Sequence, residues 1–213
     1  MSNLTPSQYG LAIHTTSFQL GLSISDFLRE TRFQTWDVDH ELSTYLHQHL
    51  VEFISHKVLE KLAFIAVAKG PGSFTSTRIG VVTARTLAQQ LNIPLFGIST
   101  LEAFAWQNKD NYSVNSLIPV QMSASRGQLY VAIYKVKNQT QKFICNLPDM
   151  VIEPDIWEKK IQHLNVKKKL LVTPKKLGCT VTSILELAYY DWQQGKRPHW
   201  SDVIPFYGMS VFN

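Results

Sequence analysis

The sequence predicts an α/β protein built from two similar subdomains with a cleft between them. Three observations carry this. Short β-type runs come in sets joined by polar turns, amphipathic helices follow them, and the order strand, strand, strand, helix, strand, helix occurs once and then loosely again. The 213 residues suffice for one large domain or for two small ones sharing a cleft. No sequence repeat accompanies the repeated order, so the duplication rests on the succession of elements. It divides the chain into residues 1–105 and 106–213, with the last residues free to return to the first unit.

In the first unit, Tyr9 to His14 and Phe18 to Ile24 read as strands joined by a turn at residues 14–17, and a third strand is expected from about Phe27 to Thr35. Leu42, Tyr45, Leu46, His49, Leu50, Phe53 and Ile54 then recur at helical spacing, with Asp37 or Asp39 as the expected cap. Phe64 to Ala68 is wholly apolar, as buried strands are. A glycine-rich turn follows, and Ile79, Val82, Thr86, Leu87 and Leu91 are read as the inner stripe of a second helix. Pro94 leads into a short strand from Leu95 to Ile98.

The second unit opens with strands at Leu117 to Met122 and Leu129 to Tyr134, joined by a turn holding Arg126 and Gly127. Residues 140–147 are expected to pair beside them, and a buried strand near Leu170 to Thr173 precedes a helix with Val181, Ile184, Leu185, Ala188 and Trp192 on one face. Residues 99–115 read as the boundary between units, and residues 148–168 show no clear period.

Several function classes fall away on composition. The longest apolar run, Leu62 to Ala68, is far short of a membrane span, and the start MSNLTPSQYG lacks the regions of a signal peptide. Cys145 and Cys179 form neither a metal-ligand spacing nor a disulfide framework, so a cytoplasmic location is expected. Neither cysteine lies in a nucleophile motif, and Ser73 lacks the G-x-S-x-G context. His40, His47, His49 and His56 include no pair at helical i, i+4 spacing, so no metal site is expected. The net charge of +5 is uneven: residues 157–199 hold nine Lys and Arg against three acids, or +6. That window reads either as a solvated lysine face or as a surface for tRNA phosphates.

The stretch KGPGSFTSTRIG at residues 69–80 carries the most information. Gly70 and Gly72 admit backbone angles and close approaches closed to other residues. Ser73 is a good N-cap for a helix starting at Phe74 or Thr75, and a helix start attracts anions. A Walker A loop would need a lysine and a hydroxyl residue after its last glycine, and a dinucleotide fingerprint would need glycine where Thr75 stands. Phosphate binding and a purely structural turn are both open on these grounds.

GPGSFTSTRIG closely resembles the signature GPGSFTGxRIG of the TsaB family, also called YeaZ. The similarity continues through PLFGISTL at residues 94–101, RGQLY at 126–130, LAIHTTS at 11–17 and PFY at 205–207. The resemblance implies the actin, sugar-kinase and Hsp70 architecture, of ribonuclease H-like type. It also implies a noncatalytic subunit supporting TsaD in threonylcarbamoyl transfer to a tRNA adenosine, together with the ATPase TsaE. ATP and a metal are then expected only in those partner subunits. On this reading Gly70, Pro71, Gly72, Ser73, Phe74, Thr75 and Arg78 form a partner-facing loop and helix end. Helices at residues 39–56 and 74–91 would dock TsaD, or a second copy of the chain, with Tyr45, Phe53, Phe74 and Arg85 as candidate contacts. Membranes are not expected partners, and tRNA would be met through the complex.

The chain departs from the family pattern at telling places. His14 stands where the family has aspartate, Ser123 and Gln128 replace expected carboxylates, Ser125 lies beside them, and Ser76 replaces a glycine. An imidazole cannot replace a carboxylate as a hard oxygen ligand for magnesium. These losses speak against a nucleotide-dependent kinase or transferase of the same superfamily. A tRNA-binding module using Lys167, Lys168 and Lys169 is a third reading, with no aromatic-rich RNA motif beside it.

Overall fold

A computed structural model describes residues 8–38, 41–137, 142–164, 166 and 170–208. Strands β1 (Tyr9–His14), β2 (Gln19–Ser25) and β3 (Thr31–Asp37) form an antiparallel meander. Helices α1 (Leu42–Phe53) and α2 (His56–Leu59) lead into β4 (Leu62–Ala68), which pairs parallel to β1 with Leu11 opposite Ile65. Helix α3 (Phe74–Leu91) connects it to β5 (Leu95–Ile98), completing a five-stranded sheet in the order β3-β2-β1-β4-β5.

Helix α4 (Thr100–Gln107) precedes the second sheet. There β6 (Leu117–Ser123), β7 (Leu129–Lys135) and β8 (Ile144–Ile152) form another meander. Helix α5 (Pro154–His163) and strand β9 (Leu171–Val172) follow, giving the order β8-β7-β6-β9 before α6 (Val181–Gln193). In both sheets the first strand lies between the second and the fourth, antiparallel to one and parallel to the other. The two-lobed α/β plan read from element order is therefore present in the strand pairing.

Side-chain alternation sorts the core into layers. On β1, Leu11 and Ile13 face a cluster containing Leu42, Leu46 and Leu50 of α1 with Val81, Ala84 and Ala88 of α3. Ala12, between them, faces a cluster shared by α4, α6 and the second sheet, including Leu101, Ile184, Ala188 and Val120. Thus α6 lies between the sheets although its sequence belongs to the second half. Helix α5 covers the far face of the second sheet through Trp157 and Ile161, and the Trp157 indole donates to Gln121 Oε1 at 2.9 Å. No helix among the described residues is long and apolar enough to cross a membrane.

Several elements differ from the sequence reading. Helix α1 starts after Glu41, and Asp37 is instead bonded by Lys176 Nζ at 2.6 Å and Gln19 Nε2 at 3.1 Å; Asp39 lies outside the described residues. The buried face of α3 is made of Thr77, Gly80, Val81, Thr83, Ala84 and Ala88, whereas Val82 and Thr86 of the expected inner stripe point to solvent. Ile79, Leu87 and Leu91 of that stripe are half-buried and pack against the same core, and Gly80 gives α3 its close approach to Thr15. Strand β8 runs later than residues 140–147, of which 140 and 141 are not described. Helices α4 and α5 occupy the supposed boundary and the unpatterned stretch. Each had a legible start: Ser99 caps α4, and Pro154 opens α5 where a missing N–H costs nothing.

Candidate functional site

The glycine-rich loop leaves β4 and is seated from three sides. Lys69 N–H donates to Ile98 O at 2.9 Å, Gly70 O accepts from Thr100 N–H at 2.9 Å, and Ser73 N–H donates to Thr16 O at 2.8 Å. A Cβ on Gly72 would collide with the Thr16 carbonyl, and one on Gly80 with the Thr15 hydroxyl. The two glycines let the loop and α3 lie directly on the β1–β2 turn. Pro71 is buried beneath. Ser73 holds the N-cap position, yet its hydroxyl donates to Ser76 Oγ at 3.0 Å rather than capping a free amide. Ser76 thus gives the cap residue a partner where the family signature has none to offer.

His14 is fully buried under this turn. Its Nε2 lies 3.2 Å from Thr16 Oγ1, which meets Thr100 Oγ1 at 2.9 Å. Nδ1 has no partner in hydrogen-bond geometry, although backbone groups of Gln19 and His14 itself stand near enough to favour the proton weakly. Burial dominates and pulls the imidazole down to about 4, so it is neutral near pH 7.

A cleft of about 480 Å³ opens between the β1–β2 turn, the loop and the β6–β7 turn. Ser73, Phe74, Ser123 and Ser125 line it, and Lys175 is the one charged side chain among the described residues that do so. Gln128 is turned away, donating to Glu153 Oε1 at 2.7 Å, so this departure from the family pattern does not face the cleft. Among the described residues the lining supplies no carboxylate, so these side chains offer a hard divalent cation no anionic oxygen ligand.

Behind the loop lies a polar cluster that the sequence reading missed. Ser99 Oγ accepts from the amides of Leu101 and Glu102 and donates to Asp149 Oδ1 at 2.9 Å, while Tyr134 OH donates to the same oxygen at 3.2 Å. Asp149 keeps some exposure, but the protein around it raises its carboxyl to about 6, against weaker pull from those hydroxyls and Lys69. Lys142 stands 2.8 Å from Asp191 and 3.5 Å from Glu102, and Lys196 2.7 Å from Asp191. The only sequence signal was a serine before a helical run. Its acidic partner is 50 residues away.

The outer faces of α1 and α3 form a second feature. A hollow of about 590 Å³, mostly apolar, runs between them past Leu50, Val51, Ile54, Val82 and Leu87. Val51 is 78% exposed and Val82 59%. A neighbouring hollow of about 430 Å³ extends it to Thr75, Arg78 and Ile79. Of the expected contacts, Phe74 is 57% exposed with the Arg78 guanidinium 5.4 Å above its ring, and Tyr45 is 37% exposed. Phe53 is instead core: it is buried, edge-on to Trp36, with Arg32 4.8 Å over its ring. Arg85 lies 5.8 Å over Trp200 and so packs against the chain's own later segment.

The basic window is split between the lobes. Lys159 and Lys160 are exposed on α5, Lys176 is paired with Asp37, Lys196 with Asp191, and Arg197 stacks 3.3 Å from the Trp192 ring centre. Lys167, Lys168 and Lys169 lie outside the described residues, as does His40. His49 stacks on Trp36 and His56 stands 3.5 Å from Glu60. Among the described residues no three His, Cys, Asp or Glu side chains converge as metal ligands. Cys145 and Cys179 are free and exposed.

Comparison with known proteins adds a family. Residues 49–171 match the family model described as TsaD, tRNA N6-adenosine threonylcarbamoyltransferase. The chain is 38% identical over 138 residues to the tRNA threonylcarbamoyladenosine biosynthesis protein TsaB of Bacillus subtilis, covering 60% of this chain and 56% of that protein. It is 33% identical over 150 residues to TsaB of Buchnera aphidicola subsp. Schizaphis graminum, covering 70% and 68%. The chain thus spans little more than half the length of the Bacillus relative. Among solved structures, YeaZ from Pseudomonas aeruginosa superposes with a TM-score of 0.70 at 17% identity, covering 94% of this chain and all of the other. A second Pseudomonas aeruginosa structure, described as similar to peptidase YeaZ, gives 0.71 at 16% identity, covering 95% and 100%. At such identities these structures speak to the fold.

Proposed function

The chain belongs to the TsaB (YeaZ) family, and we propose that it serves threonylcarbamoyladenosine formation in tRNA as a noncatalytic docking subunit for a TsaD-type transferase. The observation that carries this reading is the outer face of α1 and α3. Helix α3 buries Val81, Ala84 and Ala88 against its own sheet, and beside them half-buried Ile79 and Leu87 and the 59% exposed Val82 line the hollows next to α1. Together with Val51 of α1 this makes an apolar centre rimmed by polar groups, the anatomy of a protein interface. The partner then buries surface that the isolated lobe leaves wet. A second copy of the chain would use the same face when the transferase subunit is absent.

The noncatalytic part of the proposal rests on the cleft. Among the described residues its lining offers Lys175 but no carboxylate, and position 14 holds a buried neutral imidazole. Positioned charge for phosphoryl or carbamoyl transfer would come from the partner, along with ATP and metal. A TsaE-type ATPase and tRNA join through the complex, in the cytoplasm. Co-expression with the TsaD-type subunit of the same organism tests this directly. The expected result is a stoichiometric complex by size exclusion with light scattering. Absence of that complex at low salt, with nucleotide and the TsaE-type subunit supplied, would sink the reading.

One observation favours a second reading, a nucleotide-dependent transferase: the matched family model is itself described as a transferase. It requires the isolated chain to bind magnesium and ATP, which titration calorimetry measures.

A further inference from the structure

The segment after α6 travels back over the first lobe and then leaves it. Pro198 O accepts from Leu95 N–H at 3.3 Å, Trp200 sits beneath Arg85, and Val203 is buried against Gly97, where a Cβ would already crowd it at 2.9 Å. Phe206 N–H donates to Lys69 O at 2.7 Å, at the root of the glycine-rich loop, and its Cβ lies 3.2 Å from where a Gly70 side chain would begin. From there the chain reaches the second sheet. The Phe206 ring meets Tyr130 of β7 edge-on at 6.1 Å, the Tyr207 ring lies 5.5 Å from that of Phe74 at a tilt of 53°, and Gly208 sits beside Val151 of β8.

We propose that residues 203–208 are an interlobe strap, which clamps the glycine-rich loop against the second sheet and thereby sets the width of the cleft. The loop is held on its inner side by Thr16 and Thr100, and Phe206 closes the outer side. Tyr130 and Phe74, the two aromatic rings that the strap engages, both line the cleft. Strap and cleft therefore share walls. The Ser99–Asp149 bond lies two residues from Val151 along β8, so the strap lands beside one of the polar contacts between the lobes. Two adjacent fastenings at one edge resist a hinge motion far better than either alone. Losing the Phe206–Tyr130 contact loosens the loop and this edge of the cleft, while the core shared by α4, α6 and the second sheet still joins the lobes.

The test uses the full chain, with Cys145 and Cys179 changed to serine and spin labels placed on Gln90 of α3 and Lys159 of α5, both exposed. Phe206→Ala and Tyr130→Ala are each expected to broaden the label-to-label distance distribution. They should also speed amide exchange at Ser73 and Thr100 by about threefold to tenfold, the range that an aromatic edge contact supports. The double variant should show no more than the larger single effect, since both remove one contact. Ile204→Ala, on the same segment but exposed, is the control and should change neither reading. Phe206→Leu preserves packing bulk if the alanine variant proves unstable, and is expected to broaden the distribution without slowing the folding of the first lobe. Unchanged distances in the Phe206 variants, additive effects in the double variant, or an equal response to Ile204→Ala would each overturn the proposal. None of these readings depends on a partner, so the strap can fail while the docking reading stands.

Discussion

Glycine 80 shows how a residue in a signature can be structural while looking functional. In a helix interior alanine is favoured over glycine by about 1 kcal/mol. Here an alanine Cβ would overlap the Thr15 hydroxyl, and overpacking of this kind costs about 1–3 kcal/mol. Gly80→Ala is therefore expected to lower the urea midpoint, and a raised midpoint would mean that the Thr15 side chain yields. Gly72 faces Thr16 in the same way. The loop's glycines were legible as places needing close approach. What approaches them was not, because Thr15 and Thr16 lie far away in sequence. Ser76, which stands where the family signature has glycine, accepts the Ser73 hydroxyl.

Helix α3 carries the clearest lesson at the scale of an element. Its apolar residues at helical spacing were read as a core stripe, and the period itself was correct. Periodicity does not centre the buried face: Ile79, Leu87 and Leu91 of the stripe do pack against the core, half-buried, but the middle of that face is Thr77, Gly80, Val81, Ala84 and Ala88, and Val82 is left outside. Gly80 sits against Thr15 of the β1–β2 turn, and that close approach leaves no room there for a larger side chain. Val82→Glu should therefore leave the unfolding free energy within about 0.5 kcal/mol of the parent, as exposed substitutions do. The same variant is expected to abolish the transferase complex and any homodimer, measured by light scattering. Phe53→Ala is expected to behave oppositely, costing about 3–5 kcal/mol in stability by opening the core beneath α1.

At the scale of the whole molecule, two buried groups pull the pH dependence of stability in opposite directions. His14 falls from 6.5 to about 4 on folding, so the unfolded chain binds the extra proton between those values, and the contribution to stability rises with pH across that window. Asp149 rises from 3.8 to about 6, so the folded chain binds the extra proton, and its contribution falls as pH climbs from about 4 to 6. Each slope amounts to about 3 kcal/mol at most, so the two nearly cancel. Asp149→Asn should gain stability relative to the parent on going from pH 4 to 7. His14→Gln should lose relative stability over the same range. Chemical denaturation at several pH values measures both, and parallel profiles for variants and parent would show that neither group titrates as its burial demands.

The sequence by itself determined the alternation of strands and helices, the repeated order of the two units, the tight turn after β4 and the family signature. All of these are local patterns, readable from neighbours within a few residues. Only the tertiary structure decided that α6 lies between the sheets, that Phe53 turns inward while Val82 turns out, and that Ser99 meets Asp149. Element order left the last residues free to return to the first unit, and the structure shows that residues 203–208 land on the glycine-rich loop. Each of these depends on which distant segments share a surface, and chain packing settles that where local periodicity cannot.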